Sequence, residues 1–228
     1  MLDRTFNFPI TQFMKSKPNP PLLFPCLLFT LGVCTAHADI LLTEDFSDND
    51  GGFTETSDGA DPTPFIYSGG TGTWTLEGDD SGPSTSFLTS SSITITGTEE
   101  IQITFDHRYS IEPDWDGCGL FVSINGGTFT RVEEDAFASN GYRDFPLIGN
   151  HVLNGLQAFN GNSPGYADTA FITSVARIPG VNVNDTVQVQ FVGAFDEGAR
   201  GLFLPNWEID SVTVETLSDE DGDGMPDS

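Results

Sequence analysis

Lysine is nearly missing from this chain, and cysteine is scarce. Its 228 residues hold 8 Lys+Arg against 34 Asp+Glu, a formal net charge of −26. The only lysines, Lys15 and Lys17, lie near the N-terminus. Without Arg4, Lys15, Lys17 and Asp3, residues 39–228 keep five arginines, no lysine and a net charge of −28. Such a field repels nucleic acid and anionic membrane surfaces, and it favours water and divalent cations. Of the 3 cysteines, Cys26 and Cys34 precede residue 38, which leaves Cys118 alone and excludes an internal disulfide within residues 39–228. A cysteine nucleophile needs a histidine partner, and after residue 38 only His107 and His151 remain, neither in a nucleophile motif. A buried structural thiol is the expectation for Cys118. His-Glu-x-x-His is also missing, and two histidines so far apart in sequence make a poor zinc site.

The N-terminal stretch has its own character. Lys15 and Lys17 precede the apolar run "LLFPCLLFTLGVC" (22–34), which ends at Ala36-His37-Ala38. A positive region, a short apolar core and a small-x-small site predict a secretory signal at 1–38, cleaved after Ala38, with Met14 a usable start. The run is too short and Pro-interrupted for a comfortable membrane span, so the mature chain is expected to be extracellular with no membrane insertion.

From residue 39 onward no long 3.6-residue apolar period appears. Short runs rich in Thr, Val, Ile and Phe alternate with Gly, Asn, Asp and Pro, as in all-β domains. "IQITFDHRYS" puts Ile101, Ile103 and Phe105 on one face, and "TVQVQFVGAF" does the same for Val187, Val189, Phe191 and Gly193. In "LFVSINGGTFTRV", Asn125-Gly126 suits the φ > 0 positions of a type I′ hairpin turn. "DILLTEDF" (39–46) reads as a first strand and "NWEIDSVTVET" as a last one. Segments 47–64 and 133–166 are too long for tight turns and are expected to be irregular. The prediction is an all-β domain over 39–217, a two-sheet antiparallel β-sandwich of jelly-roll type.

The ordered motifs support a resemblance. Trp115-Asp116-Gly117 is followed by a strand, then Asn125-Gly126-Gly127, then "NGNSPGY", "VQVQF" and Trp207-x-Ile-Asp-x-Val. This order resembles the MAM-like (concanavalin-like) jelly-roll domains of secreted bacterial proteins, as appended to immune-inhibitor-A-type metalloproteases. Cys118 stands where that family usually has a second glycine, and the cysteines of animal MAM domains are missing. The resemblance implies a non-catalytic binding or adhesion module for a surface glycan or protein, often with a structural calcium.

Several side chains are candidates for chemistry. Hard cations want six to eight oxygens. If first and last strands are neighbours, as in a jelly roll, Asp210 comes near Glu44 and Asp45 and offers a calcium site. Glu112, Asp114 and Asp116 offer a second acidic loop. Glu208 and Asp210 suggest a glucanase-like strand, but Thr213 stands where the second catalytic carboxylate belongs, so the acid/base pair of a glycoside hydrolase is incomplete. Trp74, Tyr109, Trp115, Tyr142 and Tyr166 are candidates for a sugar-stacking platform, although core positions are commoner for such residues.

The chain ends in "DEDGDGMPDS". Asp219, Asp221, Asp223 and Asp227 occupy the first, third, fifth and ninth positions of a calcium loop, with Gly224 at the sixth where the chain must turn. The stretch resembles a partial thrombospondin-type-3-like calcium repeat over 218–228. Its closing glutamate would fall two residues past Ser228, so weak binding is expected. Two other roles stay open: a glucanase-like hydrolase, and a structural spacer from a larger surface protein.

Overall fold

The computed structural model describes residues 38–59, 61–78, 81–97 and 100–217; the predicted signal (apart from Ala38) and the tail acids Asp219, Asp221, Asp223 and Asp227 lie outside them. Strands are numbered in chain order. One sheet contains β1 (Ile40–Glu44), β3 (Ile66–Ser68), β4 (Thr73–Leu76), β7 (Glu100–Ile111), β10 (Phe137–Ser139), β11 (Gly161–Asn162), β12 (Ile172–Pro179) and β14 (Trp207–Thr216). The other contains β2 (Thr54–Gly59), β5 (Ser81–Thr89), β6 (Ile93–Thr94), β8 (Gly117–Ile124), β9 (Thr130–Arg131) and β13 (Thr186–Glu197). All pairings are antiparallel, in the orders β10-β12-β7-β14-β4-β3 and β2-β5-β13-β8-β9. The predicted two-sheet all-β class is the observed one.

The alternation read from the sequence decides which faces meet. Ile101, Ile103 and Phe105 of β7 and Val187, Val189 and Phe191 of β13 are fully buried. Burying one such side chain contributes about 1.5–3 kcal/mol. First and last strands do pair: β1 lies against β14 with Glu44 opposite Val212. Asn125 and Gly126 have φ of 54° and 68°, and Gly127 N donates to Ile124 O at 3.0 Å, closing the predicted turn.

Segment 47–64, expected to be irregular, contains β2, paired with β5. All six β2 residues are exposed, so no hydrophobic period marks the strand. Segment 133–166 is irregular for most of its length but is anchored by aromatic packing. The Phe159 ring lies 4.7–6.3 Å from the rings of His107, Tyr142, Tyr109, Phe137, Phe105 and Trp207. Leu147, Leu153 and Ala158 form a second small core with Ala194 of β13. Gly117 permits that approach, since a Cβ there would sit 2.3 Å from Leu147 Cδ1.

His107 is a core residue. The Trp207 indole N–H donates to its Nδ1 at 3.0 Å, so Nε2 carries the proton and donates to Ser174 Oγ at 2.8 Å. Ser174 Oγ in turn donates to Asn140 O at 2.6 Å. Complete burial holds the imidazole neutral, with its pKa lowered to about 3. Cys118 is a buried free thiol, and burial pushes its pKa well up. Its burial is as expected.

Candidate functional site at the crossover end of the sandwich

At one end the chain crosses between the sheets more than twice. The β4–β5 connection lies there, since Leu76 pairs with Trp207 and Ser81 with Glu197, and two further crossings bear on the site. Residues 112–116 carry the chain from β7 to β8, and residues 198–206 carry it back from β13 to β14. Glu112 directly follows β7, Asp116 directly precedes β8, and Asp196 is the penultimate residue of β13. The pairing of β8 with β13, with Gly117 opposite Ala194, brings the three acids together. One carboxylate oxygen from each lies within 4.8 Å of the others, and this is the one such acidic group among the described residues.

The electrostatics of this group are unfavourable as it stands. Asp116 is fully buried and Asp196 is 5% exposed. Asp116 Oδ1 accepts the Asp196 backbone N–H at 2.9 Å, which fixes the carboxyl, while Asp116 Oδ2 and Asp196 Oδ1 have no hydrogen-bond partner. Burial, with Asp196 and Glu112 alongside, pushes the Asp116 pKa up to about 8. Burial and Asp196 raise Glu112; burial and Glu197 raise Asp196, against the opposing effect of His151. Buried carboxyl oxygens without partners cost about 1–3 kcal/mol each, and more when charged. The donor set is oxygen only. His151 is engaged at both nitrogens: Leu153 N donates to Nδ1 at 3.1 Å, and Nε2 donates to Trp115 O at 2.6 Å.

The same end gathers exposed apolar side chains. Among the described residues, seven of the ten exposed large hydrophobic residues lie in its loops: Trp115, Phe145, Ile148, Val152, Leu202, Phe203 and Leu204. These loops are tied to one another. Ile148 N donates to Asp114 O at 2.9 Å, and Phe203 N donates to Ser110 Oγ at 3.2 Å. A Cβ on Gly149 would stand 2.1 Å from Trp115 O, so only glycine lets the two loops pack this closely. Between them lies a cleft of about 420 Å³ lined by Ile111, Pro113, Arg143, Gly161, Asn162 and Leu202.

The sites predicted from sequence fare unevenly. Glu112 and Asp116 belong to the acidic group, but Asp114 is exposed and its place is taken by Asp196, which local sequence did not point to. Glu44 ends β1 and Asp210 sits at a bulge in β14 between Ile209 and Ser211. Burial, then Asp106, Glu208 and Asp45, raise the Asp210 pKa, so these acids are near one another without forming a three-carboxylate group. Glu208 is committed elsewhere: Arg108 Nε and Nη2 both lie 2.6 Å from its Oε2, and Thr73 Oγ1 donates to Oε1 at 3.3 Å. Of the five aromatic candidates for sugar stacking, Trp74, Tyr109, Tyr142 and Tyr166 are buried and only Trp115 is exposed.

No protein family matches the sequence, and no curated protein does. Solved structures with a similar trace include the K3 cleaved adhesin domain of Lys-gingipain from Porphyromonas gingivalis W83. That match has 13% identity and a TM-score of 0.42 over 77% of this chain and 98% of the other. A CBM35 from Paenibacillus barcinonensis matches at 17% identity and TM-score 0.36, over 78% and 99% of the two chains. The GH115 4-O-methyl-α-glucuronidase BtGH115A matches at 12% and 0.39, with 81% of this chain covering only 18% of that enzyme. Likenesses this distant carry no argument about ligand or activity.

Proposed function

We propose that the chain is an exported, non-catalytic binding module that holds a protein surface with the loops at the crossover end of its sandwich. The observation that carries this is the gathering of seven exposed hydrophobic residues in those loops. Exposed apolar side chains that lie together mark interaction surfaces more often than accidents of composition. Trp115 is of the type enriched at interface hot spots, and Phe203 of the type enriched at interfaces. Aliphatic Ile148, Val152 and Leu202 suit an apolar protein surface better than a sugar, which needs flat aromatic faces. With a net charge of −28 over residues 39–228, the complementary partner has an apolar centre and a basic rim.

A surface glycan is the second reading, favoured by the cleft that sets Arg143 and Asn162 beside apolar walls. The secretory signal and the MAM-like resemblance fit either reading. A calcium requirement belongs to the same proposal, with the tail acids Asp219, Asp221, Asp223 and Asp227, and the pair Glu44 and Asp210, as candidate ligands. The glucanase-like alternative has less support, because Glu208 is held by Arg108 and Thr213 is no carboxylate.

Biolayer interferometry on immobilised basic proteins and on a glycan panel tests the proposal, comparing the full chain with Leu202→Asp and Trp115→Ala. The expected result is binding to basic proteins that both variants weaken at least tenfold. Binding to glycans alone, lost with Arg143→Ala, would transfer the role to the cleft. Binding that neither variant changes would remove the loop face from the account.

A further inference from the structure

We propose that Glu112, Asp116 and Asp196 bind one hard divalent cation, calcium by preference, which ties the β7–β8 and β13–β14 crossovers together. The proposal does not depend on what the loop face binds.

Three observations converge on it. The first is spacing: ligand oxygens within 4.8 Å of one another fit around one ion at calcium–oxygen distances of about 2.4 Å. The second is independent of the clustering. Asp116 Oδ2 and Asp196 Oδ1 are carboxylate oxygens without hydrogen-bond partners on residues that are 0% and 5% exposed, and both residues belong to the group. A solvated surface acid has water for this purpose; these two do not. The third is chemistry. With both His151 nitrogens hydrogen-bonded, the available donors are oxygens, which select calcium, magnesium or manganese over zinc or copper.

Position gives the ion its effect. Glu112 and Asp116 bracket the β7–β8 crossover, whose turn is closed by Asp116 N donating to Glu112 O at 3.4 Å. Asp196 stands where β13 is about to leave the other sheet. One ion shared by all three fixes both crossovers at their roots. It also fixes the backbone on either side of Trp115, the exposed indole between two of the ligands. Calcium tolerates an irregular set of carboxylates completed by water, whereas magnesium demands near-octahedral geometry at shorter distances.

The test uses the full chain in a background carrying Asp221→Asn and Asp223→Asn, so that tail acids add no signal. Melting temperatures are taken in EDTA, calcium and magnesium, and terbium emission is excited through tryptophan. Calcium at about a hundredfold excess over Kd is expected to raise the melting temperature by roughly 5–10 °C. Magnesium gives a smaller rise. Terbium binds with a sensitised signal that calcium displaces. In Asp116→Asn the calcium rise and the terbium signal disappear, while the EDTA melting temperature stays at or above that of the parent because repulsion is relieved. A parent protein that neither responds to calcium nor binds terbium would overturn the proposal, as would an Asp116→Asn protein that responds in full. Should Asp116→Asn fail to fold, Glu112→Gln must weaken terbium binding at least tenfold; unchanged binding there would also overturn it.

Discussion

Two acidic places in this molecule look alike in sequence and differ in space. At the crossover end, Glu112, Asp116 and Asp196 converge, and two of their buried oxygens have no partner. On the β1–β14 side, Glu44, Asp45, Glu208 and Asp210 form no three-carboxylate group, and two of them already have partners. Glu208 is paired with Arg108, and exposed Asp45 accepts from both N and Oγ of Ser47, hydrogen bonds that lower its pKa. The number of acids is therefore a poor guide to a cation site. What counts is how many oxygens are buried, convergent and unsatisfied.

The largest expected effect lies on the β14 side. Arg108 is 16% exposed and Glu208 8% exposed at their side chains, and Arg108 also stacks over Tyr166 and Phe171 at 5.3 and 5.2 Å. Arg108→Ala should strand the Glu208 charge and destabilise the fold by about 3 kcal/mol in urea unfolding, with the calcium response kept. A cost within error of zero would show that this pair does not answer the charge.

Asp116→Asn should have the opposite profile. It should be nearly neutral in EDTA and lose about 2–3 kcal/mol of calcium-dependent stability, measured by calorimetry. Destabilisation in EDTA would mean that Asp116 serves the fold without an ion.

Acid separates the two sides by sign. His107, hydrogen-bonded to Trp207 of β14, has a folded pKa of about 3 against 6.5 in the unfolded chain. Its contribution is fully present above pH 6.5 and is lost as pH falls toward 3, at roughly 1.4 kcal/mol per unit. Asp116 runs the other way. Its folded pKa of about 8 exceeds 3.8, so in calcium-free protein its contribution is present below pH 3.8 and is lost as pH rises through 8. Glu112, Asp196, Cys118, Glu197 and His151 share that neighbourhood, with Glu112 and Asp196 raised in the same direction. In melting curves against pH, Asp116→Asn should flatten the alkaline fall and His107→Gln the acid one. An unchanged alkaline limb would place the titrating group elsewhere.

Smaller effects sharpen the contrast. Asp210→Asn should leave the calcium response intact and raise the EDTA melting temperature slightly, since Asp106, Glu208 and Asp45 crowd it. Loss of the calcium response there would assign it to the other candidate pair, Glu44 and Asp210. Asp221→Ala with Asp223→Ala should remove one weak calcium equivalent in a titration and leave the melting temperature unmoved; a drop in melting temperature would tie the tail to the sandwich.

Much of the fold was legible because one side of each long strand is apolar. The periods in β7 and β13 identified their buried faces, and Asn125-Gly126 identified a turn. β2 was not legible, because all its residues face solvent and it is held mainly by backbone pairing to β5. The acidic group was half legible. Glu112 and Asp116 stand in one loop, but Asp196 is 80 residues from Asp116 and reads locally as the end of a strand. Only the register of β8 on β13 joins them, and side-chain alternation does not report which residue of a partner strand stands opposite. The sugar platform failed for a related reason: an aromatic residue at an alternating position is as readily core as surface, and four of the five are core.

The most direct measurement is a crystal structure of the full chain grown with calcium or terbium, read by anomalous scattering. The expected result is a peak enclosed by the carboxylates of Glu112, Asp116 and Asp196, at about 2.3–2.6 Å from their oxygens for calcium. Anomalous density only beside Glu44 and Asp210 or along the tail, with the crossover acids bare, would contradict it.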